Sequence, residues 1–134
     1  KRIYWVATAL LALVYLGGGT MYLTSIAMVQ GMFGSFGYPA YIVPILGTLK
    51  LLAAVTILWR FSVPLSDLAY AGMFFHLLLA ISAHVGIADY VGMVPAVIAL
   101  ALLPVSFFTQ NAARKTLSPY GSLANLRQTE GLAR

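Results

Sequence analysis

No cysteine occurs among the 134 residues, which excludes disulfides, thiol redox chemistry and thiolate metal sites within this chain. Acids are almost as scarce. Three Asp and Glu stand against eight Lys and Arg, and the three, Asp67, Asp89 and Glu130, fall between or after the apolar runs, so no membrane span carries a carboxylate of its own. Charged residues amount to only 8% while 61% are hydrophobic, so a soluble globule would lack the polar surface to cover itself. The composition is that of an integral membrane protein. A formal charge of +5 would point to nucleic acid in a soluble chain, but here the basic residues flank hydrophobic segments and read as topology signals, which argues against a nucleic-acid partner.

Four hydrophobic segments are predicted to span the bilayer: Ile3 to about Met28, Ala40 to Trp59, Leu68 to Val85 and Met93 to Phe108. The first follows Lys1 and Arg2, as a secretion leader would, but it is too long for a leader's apolar core and no small-residue cleavage site follows it, so it is read as a span. The glycines of Gly31 to Gly37 read as an outer turn, and Arg60 to Asp67 and Gly86 to Gly92 as the other links. Links this short make sequential helices antiparallel neighbours. The expected fold is therefore an all-α four-helix membrane bundle over residues 1–110, followed by a basic tail over 111–134.

Lys1, Arg2, Arg60, Arg114, Lys115, Arg127 and Arg134 fall on one side of that arrangement, and Asp89 on the other. The positive-inside rule then places both termini in the cytoplasm, with the bundle in a bacterial-type plasma membrane. Tyr4, Trp5, Trp59, Tyr70 and Phe107 mark the inner interface, and Tyr38, Tyr41 and Tyr90 the outer one. The tail is polar and basic, with a turn signal at Ser118 to Gly121 and spaced Leu123, Leu126 and Leu132; such a segment is disordered when alone, so an ordered tail is expected only if it packs on the bundle, on a second copy or on another subunit.

The lone cation inside a span is Lys50, about 10 residues from either end of its segment and so roughly 15 Å from water. An ionisable group at that depth is a functional-site hypothesis by default. Gly47, Lys50 and Ala54 share one helix face, and Ala69, Gly72, His76 and Ala83 share one seam of the next span. Small residues mark close helix approach, so both faces should point inward, and Lys50 and His76 lie at matching depth. Gly17, Gly18, Gly19 and Thr20, flanked by Tyr15 and Tyr22, reach that depth from the first span. A polar pocket among spans one, two and three is expected, with Lys50, His76, Gly18, Thr20, Tyr15 and Tyr22 as its ligand- or partner-binding candidates and the apolar fourth span as a wall. Without an internal carboxylate, the amine either sits neutral, satisfies backbone carbonyls near the glycines as a structural lysine, or is answered from outside by a quinone carbonyl, an anionic lipid or ligand, or a partner's carboxylate.

His84 and Asp89, at the outer end of the third span, form a second candidate polar pair. His76 and His84 lie eight residues apart, about 12 Å along a helix and 80° around it, so they cannot ligate one haem iron, and no metal site is expected. A proton-coupled exporter needs a membrane-embedded acid that no span supplies. No nucleophile elbow or phosphate-binding glycine loop is present, so no catalytic residue is assigned.

The run from Tyr41 to Leu58, then Leu68 to Phe75, Ser82-Ala83-His84, Asp89, and the opening Tyr4 to Leu11 resemble the DoxX-like membrane proteins, over most of the chain up to about Arg114. The resemblance implies a compact four-helix bundle with termini inside, and makes Lys50, Ala69 to Gly72, His84 and Asp89 the motif positions; His76 comes from helical geometry instead. The broader family includes a subunit of a thiosulfate:quinone oxidoreductase and proteins supporting membrane redox assemblies. The function expected is thus an accessory or assembly subunit of a larger membrane oxidoreductase or energy-converting complex, with no catalysis of its own. The alternative is a quinone- or lipophile-binding component built around Lys50 and His76. Partners would be other membrane subunits, lipid, or a second copy in a homo-oligomer.

Overall fold

A computed structural model describes residues 1–121, and these form five helices: α1 (Arg2–Thr24), α2 (Ile26–Phe36), α3 (Ile42–Trp59), α4 (Val63–Gly86) and α5 (Val94–Ala113). Four are long and apolar enough to cross a membrane, all but the short α2, and no strand occurs among the described residues. Leu123, Leu126, Arg127, Glu130, Leu132 and Arg134 lie outside the described residues.

Two expected boundaries are corrected. The first span does not run to Met28: at Ser25 the backbone leaves the helix (φ −125°, ψ 47°), and the expected turn from Gly31 is instead most of α2. The reason is a second, small core. Val29 and Phe33, one turn apart on α2, bury against Val43 of α3, and only Gly37, at φ 83°, ends the helix in the left-handed conformation that glycine adopts without strain. The third span starts at Val63 rather than Leu68, because Ser62 caps it by accepting the Leu65 N–H (3.4 Å) and Pro64 suits the first turn.

The long helices form a ring in which α1 packs on α3 and α5, and α4 closes the circle. The α1–α3 contact is the most extensive because two glycines meet there: a Cβ on Gly19 would lie 2.9 Å from the Gly47 carbonyl oxygen, and one on Gly47 2.9 Å from Tyr22 Cβ. Leu11, Tyr15, Ala54, Ile57, Tyr70, Met73, Leu77 and Leu103 fill the centre. Hydroxyls that face outward, Thr48, Thr56, Ser82 and Thr109, donate back to the carbonyl one turn earlier, which lets them lie in lipid without an orphan donor.

α5 is more than an apolar wall. Its Ser106 is wholly buried, 2.6 Å from Thr8 Oγ1 and 2.7 Å from the Tyr70 hydroxyl, a chain joining α1, α5 and α4. At the basic end, Arg114 donates to the Tyr4 hydroxyl (2.9 Å) and to the last carbonyls of α3, Ile57 (3.2 Å) and Leu58 (2.6 Å). Arg60 donates to Gln110 (3.1 Å) and to the Thr116 carbonyl, and Ser118 donates to Asp67 (2.7 Å). The first part of the tail is thereby fastened to the bundle.

The opposite end is closed by the α4–α5 turn. The Asp89 N–H returns to the His84 carbonyl (2.8 Å) and the Ala88 N–H to that of Val85 (3.0 Å), with Ala88 at φ 56°. The Asp89 carboxylate accepts the Gly92 N–H (3.0 Å) and faces His84 Nδ1 (3.0 Å), whose ring packs edge-on against Phe36 of α2. The Gly92 N–H, and after it His84, hold this carboxyl below the usual carboxylate range.

Two measurements check this architecture. Gly19→Ala should destabilise the bundle by about 1–3 kcal/mol through overpacking, whereas Gly17→Ala, whose Cβ meets nothing within 4 Å, should be neutral or stabilising. Equal shifts in detergent thermal unfolding would contradict the close α1–α3 approach. Because the folded Asp89 carboxyl titrates below its unfolded value of about 3.9, its contribution is present above that pH and disappears as pH falls through the folded value. Asp89→Asn should therefore flatten the acid limb of the stability profile below about pH 4, and an unchanged limb would contradict the turn's hydrogen bonding.

Candidate functional site in a groove between α3 and α4

Among ring neighbours, α3 and α4 touch least, because an apolar groove of about 550 Å³ separates them. Leu49, Ala53, Thr56 and Trp59 from α3 and Leu68 and Gly72 from α4 line its length, and several of them are exposed on the lipid-facing surface. Lys50, His76 and Tyr15 line it too, as its polar members at mid-bundle depth. Lys50 and Trp59 are nine residues apart on one helix, so the groove runs about 13 Å from the middle of the bundle to its basic end.

Helix periodicity alone puts Lys50 here: Gly47 and Ala54, on its face, are buried against α1. The amine reaches α1 itself. Lys50 Nζ lies 4.0 Å from the centre of the Tyr22 ring and 5.9 Å from that of Tyr15, and a Cβ on Gly18 would stand 3.2 Å from it. Gly18 is thus the gap into which the cation fits, with two aromatic faces beside it. A cation over a tyrosine face gains about 0.5–2 kcal/mol, against roughly 2.5–3.5 kcal/mol for placing lysine at the centre of a span. Aromatic contact offsets only part of the cost. Among the described residues the one pair of opposite charges within ion-pair distance is His84 with Asp89, so no carboxylate supplies the remainder.

Tyr15 joins the two halves of the site. Its hydroxyl lies 2.9 Å from His76 Nδ1 and 3.3 Å from the Met73 carbonyl, and the two rings meet edge to face at 5.6 Å. Which nitrogen of His76 carries the proton decides whether Tyr15 donates to the ring or accepts from it. Either arrangement fixes the imidazole at the groove wall. Lys50 and His76 are neighbours through Tyr15, with no direct bond between them.

The six residues singled out by sequence are therefore not equivalent. Lys50, His76 and Tyr15 line the groove; Tyr22 and Gly18 stand behind Lys50 and position it. Thr20 is corrected: it faces outward, its carbonyl accepting from Thr24 (2.8 Å), because it lies two positions past Gly18 and so on the opposite side of α1. Gly72 meets no helix and serves as open groove wall. His84 and Asp89 come together at the far end of the bundle, away from the groove. Sequence reasoning missed two features: the lateral opening of the groove to lipid, and the hydrogen bonds by which Arg60, Arg114 and Ser118 join helix ends and tail at the basic end. The signal for the second was present in the Gln110-Asn111 pair, too polar for a span that ends three residues later.

No curated protein and no solved structure matches the chain. The DoxX-like family does match, over residues 6–106, which is more than half of the 134 residues and takes in Lys50, His76, His84 and Asp89. With four apolar helices long enough to cross a membrane and that match across them, this is a small membrane protein that belongs to the DoxX-like family.

Proposed function

We propose that the groove receives a lipophile with a carbonyl-bearing head, of the quinone type, and that the protein acts as a subunit of a larger membrane oxidoreductase. The observation that carries this reading is a cation, an imidazole and a phenol at the inner part of an otherwise apolar groove of about 550 Å³ that faces lipid. That volume lies within the range of small-molecule sites, which are mostly apolar with a few convergent polar groups. A lipophile could enter sideways from the bilayer without crossing water.

A head carbonyl beside Lys50 would supply the acceptor that the ammonium lacks, and the ammonium would draw electron density onto that oxygen. Tyr15 and His76 share a hydrogen bond at the same wall, so a proton can be held next to the head. A quinone, when bound, supplies the electron-accepting chemistry; the chain's own part is to bind, orient and keep a proton at hand. Electrons would come from another chain, since this one has no cysteine and only two histidines, set eight residues apart. That is the sense in which the subunit is accessory. The excess of Lys and Arg at one end of the bundle supports an orientation with that end in the cytoplasm, in a bacterial-type plasma membrane.

Trp59 lines the groove and Trp5 does not, so Trp5→Phe leaves a single reporter for binding of a short-tailed quinone in lipid nanodiscs. Quenching should saturate, and Lys50→Met should weaken binding about 10- to 100-fold, the loss of a charge-assisted hydrogen bond. Unchanged affinity with intact helicity would overturn the reading. Extraction of the native chain in a mild detergent should carry a stoichiometric membrane partner, and recovery of the chain alone would count against the subunit role.

A further inference from the structure

Away from the groove, the basic end holds a second concavity of about 320 Å³, lined by Trp5, Arg60, Ala113, Arg114, Lys115 and Thr116. Three cations converge on it, and no described carboxylate lies within ion-pair distance of any of them. Asp67, at the same end, accepts from Ser118 instead, and Arg114 caps the carbonyls at the C-terminus of α3, equivalent to about half a negative charge. Among the described residues the pocket lining carries three cationic side chains and no carboxylate.

Its guanidinium groups are preformed. Arg114 is fixed by the Tyr4 hydroxyl, by two backbone carbonyls and by its stack on Trp5, 4.5 Å from the ring centre. Arg60 is fixed by Gln110 and the Thr116 carbonyl, and its Nε–H has no partner among the described residues. Side chains locked by protein contacts lose little freedom when an anion arrives, and paired guanidinium groups match the oxygens of a phosphate. Lys115, exposed beside them, adds a third charge.

We infer that this pocket binds the phosphate of an anionic lipid headgroup. Phosphate is the chemistry the cations select, and the position favours a lipid source over a soluble one. Trp5 is 42% exposed at the pocket edge, and Trp59 and Phe61, 72% and 57% exposed, stand at the same end of the bundle, which is where an aromatic belt meets headgroups. The inference rests on the membrane reading and not on the groove's ligand.

The test uses the full chain released from nanodiscs holding equal phosphatidylglycerol and phosphatidylcholine, with retained lipid read by native mass spectrometry. Phosphatidylglycerol should be retained about tenfold over phosphatidylcholine. Lys115→Gln, at an exposed side chain whose loss leaves the Arg60 and Arg114 bonds in place, should cut that preference several-fold, and Arg60→Gln with Lys115→Gln should abolish it at unchanged helicity. Equal retention of both lipids, or a preference that survives the double variant, would overturn the inference. Displacement of the lipid by millimolar glycerol phosphate would reassign the pocket to a soluble phosphate and overturn it equally.

Discussion

The Lys50 side chain, set into the gap left by Gly18 and with its Nζ against the face of Tyr22, is the constraint around which the mid-bundle site is arranged. A cation at the middle of a span needs a place where backbone can come close and where aromatic faces replace water. α1 provides both in the stretch from Tyr15 to Tyr22. The Gly19–Gly47 approach one residue further on brings α3 near enough for the lysine to reach that stretch, so the helix contact and the polar site are built by the same run of small residues. Consecutive glycines in a membrane helix cost helix stability, and here they are spent on one contact and one cavity.

Seating the cation shapes what surrounds it. Lys50 faces α1 and the groove rather than α4, and α4 stands off from α3 with His76 turned toward Tyr15. The bundle is held closed elsewhere, by the buried Thr8–Ser106–Tyr70 hydroxyls and by the arginine clasps at the basic end. Thr8, Ser106 and Tyr70 each find a hydroxyl partner on another helix, which in a membrane ties helices together without a hydrophobic driving force. With the bundle fastened at its basic end, the groove between α3 and α4 stays open at the side, which is the entry that the proposed lipophile would need.

Much of this was legible in the residues. Composition and basic-residue placement gave the span count and the shared end of the bundle for Arg60 and Arg114. A three-then-four spacing put Gly47, Lys50 and Ala54 on one face, and equal depth brought Lys50 and His76 to the same wall. What failed did so for physical reasons. The break at Ser25 is invisible to hydropathy, since both sides are apolar; it is set by the tertiary burial of Val29 and Phe33 against Val43. Depth alone puts Thr20 beside Lys50, and depth does not say which side of a helix a residue faces. Charge counting makes the arginines topology signals because it carries no hydrogen-bond geometry, whereas the fold uses them to cap α3 and clasp α5 to the tail.

The central claim is that an ammonium group resides in a dry, aromatic-walled site that opens to lipid rather than to water. Solid-state nuclear magnetic resonance of the full chain in bilayers, with lysine side-chain nitrogen labelled, tests it most directly. Of the three lysines, Lys50 alone should give a through-space correlation to a tyrosine ring, lost in Tyr22→Leu, and little magnetisation transfer from water. Strong transfer from water to Lys50 Nζ without any tyrosine correlation would contradict the account.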